Sequence, residues 1–217
     1  MIQSDKFDSS NMDIKKLSNS ALLFVIKRLI EIFGVSISLI GILIFISLIS
    51  YSPEDPNFIF PENTEIQNIL GYQGSWMSDL ILQSIGLIAY LLPITYIFTG
   101  LNIFRKKEVL LVIENTFLII LYSIFGSIFF SIFFNENFGL YINGSGGFIG
   151  NYLGKTFIGN FIKSYENFFY YFLILITIFF FFLSINFNLK NFWKSIKKII
   201  NIILRNKNKN YTDQSEI

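Results

Sequence analysis

Residues Leu80–Phe104 read LILQSIGLIAYLLPITYIFTGLNIF, and this stretch is one of four uncharged, strongly apolar runs that decide the fold. The other three are Ile32–Pro53, Asn115–Asn135 and Asn167–Leu189. At a helical rise of ~1.5 Å per residue, about twenty such residues cross a hydrocarbon core of ~30 Å. Backbone amides must be paired within lipid, and barrel strands alternate polar with apolar residues, which these runs do not. The sequence therefore predicts an all-α, integral membrane four-transmembrane-helix bundle.

The composition supports a membrane protein and excludes several classes of chemistry. Of the 217 residues, 53% are hydrophobic and only 15% are charged, whereas a soluble domain usually has about a quarter charged residues. Because the chain contains neither Cys nor His, it can form no disulfide and no zinc site or catalytic centre built on those residues. The segment Gly150–Thr156 resembles a phosphate loop but has three residues between its glycines, where the motif has four. We therefore expect no catalytic, cofactor or metal site, and no enzyme activity.

The positions of the basic residues predict the orientation of the helices. All but two of the 17 Lys and Arg lie in the leader, in the short loop between helices two and three, or in the tail. The exceptions are Lys155 and Lys163, between helices three and four, and the loop between helices one and two carries acidic residues instead. Cytoplasmic segments of membrane proteins are enriched in Lys and Arg. Both termini are therefore predicted to be cytoplasmic.

The pattern also predicts the boundaries of three regions. Residues 1–20 are polar and are predicted to be a disordered cytoplasmic leader. Residues 21–189 form the transmembrane domain, with spans at about 32–53, 80–104, 115–135 and 167–189. A short outer helix at about 148–162 either lies on the membrane surface or dips into it.

Residues 190–217 are predicted to be a basic amphipathic cytoplasmic tail. An apolar stripe along this tail favours binding to an anionic inner leaflet, with nucleic-acid binding as the alternative. The cations predicted to contact the membrane surface are Lys190, Lys194, Lys197, Lys198 and Arg205.

Small and polar residues predict how the helices end and pack. Pro53 and Pro56 end helix one, and Pro93 is expected to kink helix two. A face of small residues, comprising Ser36, Ser38 and Gly41, is expected to pack helix one against a neighbour. No Asp, Glu, Lys or Arg lies deep within any predicted span, which argues against a proton relay or an ion pump.

Four short segments stand out along the chain: the turn at 48–56, the glycine-containing helix start at 68–79, the stretch 86–93, and the glycine-rich stretch 146–150. Their distinctive residues are Tyr51, Pro53, Asp55, Pro56, Gly71, Gly74, Trp76, Asp79, Gly86, Pro93, Gly146, Gly147 and Gly150. Taken in order, these segments resemble the amino-terminal membrane domain of the FtsK/SpoIIIE DNA translocases, and the likeness covers roughly residues 20–190.

This resemblance implies a function in cell division and chromosome segregation. In that family, the membrane domain anchors a DNA-pumping ATPase at the septum and contacts other division proteins. The resemblance therefore implies an inner-membrane, multi-pass protein at the division septum. Its expected partners are the lipid bilayer and division-site membrane proteins, with DNA and ATP engaged only through a motor domain that this sequence lacks. Because the family's motor forms a ring of six, a homo-oligomer is left open.

Two other functions compete with the anchor. The main alternative is a small transporter or channel subunit built from the same four helices, and a lipid-active membrane enzyme is the third. The absence of charge deep within the spans weakens the transporter. The absence of His, Cys and clustered outer acids weakens the enzyme.

Overall fold

A computed structural model describes residues 2–56, 65–134 and 143–186, together with residue 197, and describes side chains from residue 19 onward. The chain divides into two units, Met1–Ile185 and Asn186–Ile217. The predicted basic tail belongs to the second unit and, apart from Lys197, lies outside the described residues. The architecture below is that of the first unit.

Helices account for all the regular secondary structure in the described part of the chain. The elements are α1 (Ile2–Ile49), α2 (Gly71–Ile85), a 3₁₀ segment (Gly86–Tyr90), α3 (Leu91–Lys106), α4 (Leu111–Phe133), α5 (Gly147–Gly154), α6 (Phe157–Ser164) and α7 (Glu166–Ser184). Four stretches are long and apolar enough to cross a membrane: Asn19–Ile49, Gly71–Lys106, Leu111–Phe133 and Glu166–Ser184. The predicted all-α class with four membrane-spanning helices is confirmed.

The first helix begins earlier than the sequence pattern predicts. It starts at Ile2, whereas residues 1–20 are predicted to be disordered. Helix propagation costs much less than nucleation, and no Gly or Pro interrupts the chain before Gly34. The helical backbone can therefore continue from the apolar span into the polar leader.

The second span is interrupted at a glycine, and Pro93 lies just after the interruption. The segment joining α2 to α3 is the 3₁₀ segment Gly86–Tyr90, and Pro93 is the third residue of α3. Proline is tolerated in the first turn of a helix because the amide hydrogens there have no partner within the helix. The change in helix geometry therefore lies at Gly86–Tyr90 rather than at the predicted Pro93 kink.

Helices α1 and α3 pack antiparallel through small residues. A Cβ atom added at Gly34 would lie 2.8 Å from the Gly100 carbonyl oxygen, and one added at Gly41 would lie 3.0 Å from the Pro93 carbonyl oxygen. The Ser38 hydroxyl donates a hydrogen bond to the Ile97 carbonyl oxygen at 3.1 Å. The predicted small face is present at Ser38 and Gly41. Ser36 is exposed and bonds its own helix, so its place on that face was predicted wrongly.

Aromatic and polar contacts join α3, α4 and α7. The hydroxyl of Thr95 lies 3.2 Å from that of Tyr122 and 3.0 Å from that of Ser184. The Tyr122 side chain is fully buried, and its ring lies edge-on to Phe181 with centroids 5.9 Å apart. Interhelical hydrogen bonds of this kind contribute about 0.6 kcal/mol each within a membrane.

Two short helices occupy the place of the single outer helix predicted at 148–162. Helix α5 ends at Gly154, and α6 begins after Thr156, whose backbone is extended (φ −84°, ψ 179°). The chain turns tightly here, because a Cβ atom added at Gly159 would lie 2.0 Å from the Gly154 carbonyl oxygen. The glycines at this turn allow the backbones to approach, so the helical periodicity alone overstated the length of one element.

Candidate functional site

All the residues that carry the family resemblance except Pro93 gather at one end of the bundle. We call this the loop end: it comprises the carboxyl end of α1, the turn at 50–56, residues 65–79, the Gly86 region, residues 143–147 and α5. The opposite end, where α3 meets α4, is called the basic end. Two assemblies build the loop end, and they use different physical means.

The first assembly is built on a buried carboxylate. Asp55 is 1% exposed, and its two carboxylate oxygens accept hydrogen bonds from the backbone amides of Gln67 at 2.8 Å and Asn68 at 2.9 Å. Pro53 and Pro56 flank it in the turn after α1, and Pro56 is fully buried. Hydrogen bonds to a carboxylate are about twice as strong as neutral ones. Asp55 therefore fixes the start of the 65–70 segment against the turn.

Asn68 then closes the carboxyl end of α1. Its side-chain amide donates hydrogen bonds to the carbonyl oxygens of Ser47 at 2.9 Å and Ser50 at 3.2 Å, and its side-chain oxygen accepts one from the Leu70 amide at 3.1 Å. The last carbonyls of a helix have no partner within the helix, so a buried helix end needs a donor of this kind. We call the contacts of Asp55 and Asn68 the Asn68 junction.

Helix α2 is held against the same junction at Gly74. A Cβ atom added there would lie 2.1 Å from the Asn68 side-chain oxygen. The Gly74 carbonyl oxygen accepts hydrogen bonds from the hydroxyls of Ser47 at 2.6 Å and Ser78 at 2.9 Å. The Ser75 hydroxyl donates to the Pro56 carbonyl oxygen at 2.9 Å. A side chain at Gly74 would therefore force α2 away from the Asn68 junction.

The loop end also contains a series of hydrogen-bonded polar side chains that begins just after α1, crosses α2 and reaches the residues before α5. The Tyr51 hydroxyl donates to the Asp79 carboxylate at 3.2 Å, and Gln83 donates to the same oxygen at 3.4 Å. Asn143 donates to the Gln83 side-chain oxygen at 3.2 Å, and Asn151 donates to the Asn143 carbonyl oxygen. Burial, together with the neighbouring Asp79, raises the pKa of Tyr51 above its ordinary value. Tyr51 therefore keeps its proton and its hydrogen bond at neutral pH.

The second assembly is a direct contact between two backbones, which we call the glycine crossing. Gly86 (φ +71°) and Gly147 (φ +64°) face each other: a Cβ atom added at Gly86 would lie 2.1 Å from the Ser145 carbonyl oxygen, and one added at Gly147 would lie 2.4 Å from the Gly86 nitrogen. The Leu87 amide donates to the Ser145 carbonyl oxygen at 2.9 Å. Both the positive φ and the close approach require residues without a Cβ. The crossing therefore joins the break in the second span to the loop before α5.

Helix α4 forms the floor of the crossing. A Cβ atom added at Gly146 would lie 2.6 Å from the Ser127 carbonyl oxygen, and one added at Gly150 would lie 2.2 Å from the same atom. The Ser127 hydroxyl donates to the Ile85 carbonyl oxygen at 2.7 Å. Two of the predicted glycines, Gly146 and Gly150, thus pack on one serine of α4, next to the contact between Gly86 and Gly147.

The other residues that carry the resemblance lie outside the two assemblies. Trp76 lies on α2 with 37% of its surface exposed, and Pro93 is fully buried against α1. Gly71 (φ +65°) begins α2, and a Cβ atom there would meet nothing within 4 Å. Asp79 lies inside α2 rather than at its amino end, because the helix begins eight residues earlier.

Asn68 begins the 68–79 segment but was predicted to have no role, and neither Ser127 nor Ser145 was predicted to contribute. Asn68 precedes Gly71 by three residues, and an Asn before a helix start is a common local signal. Ser127 and Ser145 have no such local signal, because their partners lie far away in the sequence.

The basic end adds a partly exposed ion pair to the packing of α1 on α3. The Glu31 carboxylate on α1 contacts Lys107 at 2.6 Å and Arg28 at 2.5 Å. Lys107 ends α3 in the left-handed conformation, with φ +63°. These groups lie where α3 turns into α4, so they connect α1 to the loop rich in basic residues.

The described contacts of the loop end are those of a tightly packed surface. Its buried polar groups bond each other or the backbone, and its glycines are used for close packing. Among the described side chains, which begin at residue 19, no three acidic groups come together as a metal site would require. The arrangement holds the end of α1, the start of α2 and residues 143–147 in one place.

Comparisons with known proteins agree with this description. Residues 26–196 match the family described as the 4TM region of DNA translocase FtsK/SpoIIIE. A protein named DNA translocase FtsK from Azospirillum brasilense is 32% identical over 88 residues, covering 40% of this chain and 14% of that protein. One of the same name from Rickettsia typhi is 33% identical over 69 residues, covering 32% of this chain and 9% of its own length.

A third such protein, from Shewanella oneidensis, is 31% identical over 90 residues, covering 41% of this chain and 10% of that protein. The matched part is thus a small fraction of each of these three relatives. No solved structure matches the chain.

Proposed function

The chain belongs to the family of FtsK/SpoIIIE four-helix membrane regions, and from that membership we propose that it anchors a DNA-translocating motor at the division septum. In this role, the four helices hold the chain in the inner membrane and the loop end binds division-site membrane proteins. ATP hydrolysis and DNA movement would be carried out by the motor, since the family match is to the membrane region alone.

The observation that carries this proposal is the family match over residues 26–196, together with the assembly of the matching glycines into one crossing. Helices that only had to hold the chain in lipid would need no such contact between two backbones. The loop end buries Asp55 and Asn68, and the glycine crossing holds the break in the second span against residues 145–147. Surfaces of this kind suit recognition by a partner that reads a fixed shape.

We further propose that the basic end faces the cytoplasm. Arg105, Lys106 and Lys107 lie at the end of α3, and α1 carries Lys27 and Arg28 close to Glu31, which pairs with Lys107. Basic residues are retained on the cytoplasmic side during insertion. A reporter that is active only outside the cytoplasm should give a signal when fused after Glu65 or Asn143, and none when fused after Lys107. The reverse pattern would contradict this orientation.

The tail is proposed to bind the cytoplasmic leaflet. Its cations Lys190, Lys194, Lys197, Lys198 and Arg205 alternate with an apolar stripe in the sequence, a pattern typical of helices that lie on anionic lipid. A peptide of residues 190–217 should gain helical circular dichroism on vesicles that contain phosphatidylglycerol and not on phosphatidylcholine vesicles. Stronger binding to duplex DNA than to the anionic vesicles would favour the nucleic-acid alternative.

Septal enrichment tests the proposed function. A fluorescent fusion of the whole chain should concentrate at midcell in dividing cells. A uniform membrane signal would contradict the anchor. Flux of ions or small solutes through liposomes that contain the purified chain would favour the transporter or channel subunit instead. Crosslinking of the fusion in cells would show whether it forms the homo-oligomer that the family motor suggests.

A further inference from the structure

Helix α6 (Phe157–Ser164) is strongly amphipathic, and only one edge of its apolar half packs on the bundle. At about 100° per residue, its side chains divide into two halves. The apolar half holds Phe157, Ile158, Phe161 and Ile162, and the polar half holds Asn160, Lys163 and Ser164. Ile162 is 3% exposed and packs in the core formed by α4 and α7, whereas Phe157 is 82% exposed. Most of the apolar half is therefore uncovered.

The uncovered half continues into the exposed side of a transmembrane helix. The ring of Phe161 stacks on Phe157 with centroids 6.4 Å apart and lies edge-on to Phe169 of α7 at 5.5 Å. Phe169 in turn contacts Phe168, which is 64% exposed, at 5.3 Å. Helix α7 is one of the four membrane-spanning helices, so its exposed side borders acyl chains. We call the exposed rings of Phe157, Phe161 and Phe168 the aromatic face.

We propose that α6 lies in the interfacial layer of the membrane leaflet at the loop end, with the aromatic face in lipid and Lys163 toward the phosphates. Aromatic side chains concentrate at the boundary between headgroups and acyl chains. An amphipathic helix buries its apolar side there while its polar side stays in water. A long Lys side chain next to such a boundary extends its charge outward to the headgroups. Lipid is the partner because the aromatic face is continuous with a surface already in contact with lipid.

The absence of cysteine from the sequence gives this proposal a clean test. Single cysteines replace Phe157 (F157C) and Lys163 (K163C) in the full chain, and each is labelled with a nitroxide. The chains are placed in vesicles of phosphatidylethanolamine and phosphatidylglycerol. Power-saturation spectroscopy then measures how often each label collides with oxygen, which is concentrated in lipid, and with a nickel chelate, which stays in water.

The label at residue 157 should collide several-fold more with oxygen, relative to the nickel chelate, than the label at residue 163. Two further variants set the scale: F172C, on the exposed side of α7, gives the lipid value, and E65C, in the exposed loop, gives the water value. A value at residue 157 close to that of F172C supports the proposal. A value close to that of E65C would overturn it, since the aromatic face would then stand in water.

Substitution at residue 157 should not disturb the fold, because that side chain contacts only its neighbour Phe161 among the described ring pairs. The elution volume of each labelled chain in detergent should match that of the unaltered chain, and such a match would confirm that the fold is intact. The vesicles contain no division protein, so the result is independent of the proposed septal function. A protein partner for the aromatic face would appear as a water value at residue 157.

Discussion

The two ends of the bundle are held together by different forces. At the loop end, Gly86 and Gly147 bring two backbones into contact, and the buried Asn68 closes the end of α1. At the basic end, the partly exposed side chains of Glu31 and Lys107 form an ion pair beside the close packing of Gly34 against α3. Close packing and buried hydrogen bonds allow few alternatives, whereas an ion pair that water and salt can reach is weak and easily replaced. The contacts of the loop end should therefore matter more to stability than this ion pair does.

The largest effect is expected at the glycine crossing. Gly86→Ala would place a Cβ atom against the Ser145 carbonyl oxygen and in an unfavourable φ, so it should lower the free energy of unfolding by about 3 kcal/mol. SDS titration of helicity in mixed micelles measures this change. Gly71→Ala is the control for a positive φ in open space, and it should cost about 1 kcal/mol. Gly86 differs from it in its close contacts and in its ψ of −149°, which glycine alone adopts readily. Equal losses for the two variants would show that neither difference matters.

An intermediate effect is expected at the Asn68 junction. Asn68→Ala removes the donor to the Ser47 and Ser50 carbonyl oxygens and leaves them buried without it, which should cost about 2 kcal/mol. Asn160→Ala, on the exposed polar side of α6, should change the free energy of unfolding by no more than about 0.5 kcal/mol. The same titration measures both variants. An Asn68 variant as stable as the Asn160 variant would mean that the junction does not hold α1.

Asp55→Asn sharpens the comparison within that junction. The substitution keeps the size of the side chain but removes the charge that strengthens the bonds from Gln67 and Asn68. We expect a loss of about 1 kcal/mol. Limited proteolysis of the 57–64 region should become faster in parallel, because the junction fixes the backbone on the carboxyl side of that region. Unchanged stability together with an unchanged cleavage rate would rule out the carboxylate as the element that holds the loop.

The smallest effect is expected at the basic end. Glu31→Gln removes the ion pairs with Arg28 and Lys107, which are partly exposed and therefore screened by salt. The unfolding midpoint in low salt should change little, and in high salt it should not differ from that of the unaltered chain. A loss as large as that of Gly86→Ala would show that the two ends are equally constrained.

The sequence predicted the elements of this fold better than their junctions. Four helical spans follow from hydropathy, because each span is a local property of about twenty residues. The break in the second span was predicted at Pro93 but lies at Gly86. The contact that stabilises it comes from Ser145, nearly sixty residues away, so no local pattern indicates it. A glycine signals that a close approach is allowed, but it does not identify the partner.

The same limit explains the candidate site. The resemblance selected Gly86, Gly146, Gly147 and Gly150, which lie close together, but nothing in the local pattern indicated that Gly86 would face Gly147 or that Gly146 and Gly150 would pack on Ser127. Asn68 lay within a quoted motif and was missed because its partners are backbone carbonyls of another helix. The outer helix was predicted as one element because helical periodicity continues through Thr156, where the backbone becomes extended.

The central claim is that the closed loop end is the surface by which the division site recognises this membrane domain. The most direct measurement is the ratio of midcell to lateral-membrane fluorescence for three fusions: the unaltered chain, the Gly71→Ala variant and the Gly86→Ala variant, compared at equal membrane abundance. The account predicts similar enrichment for the first two and a ratio near one for Gly86→Ala. Enrichment of the Gly86→Ala variant equal to that of the unaltered chain would contradict it.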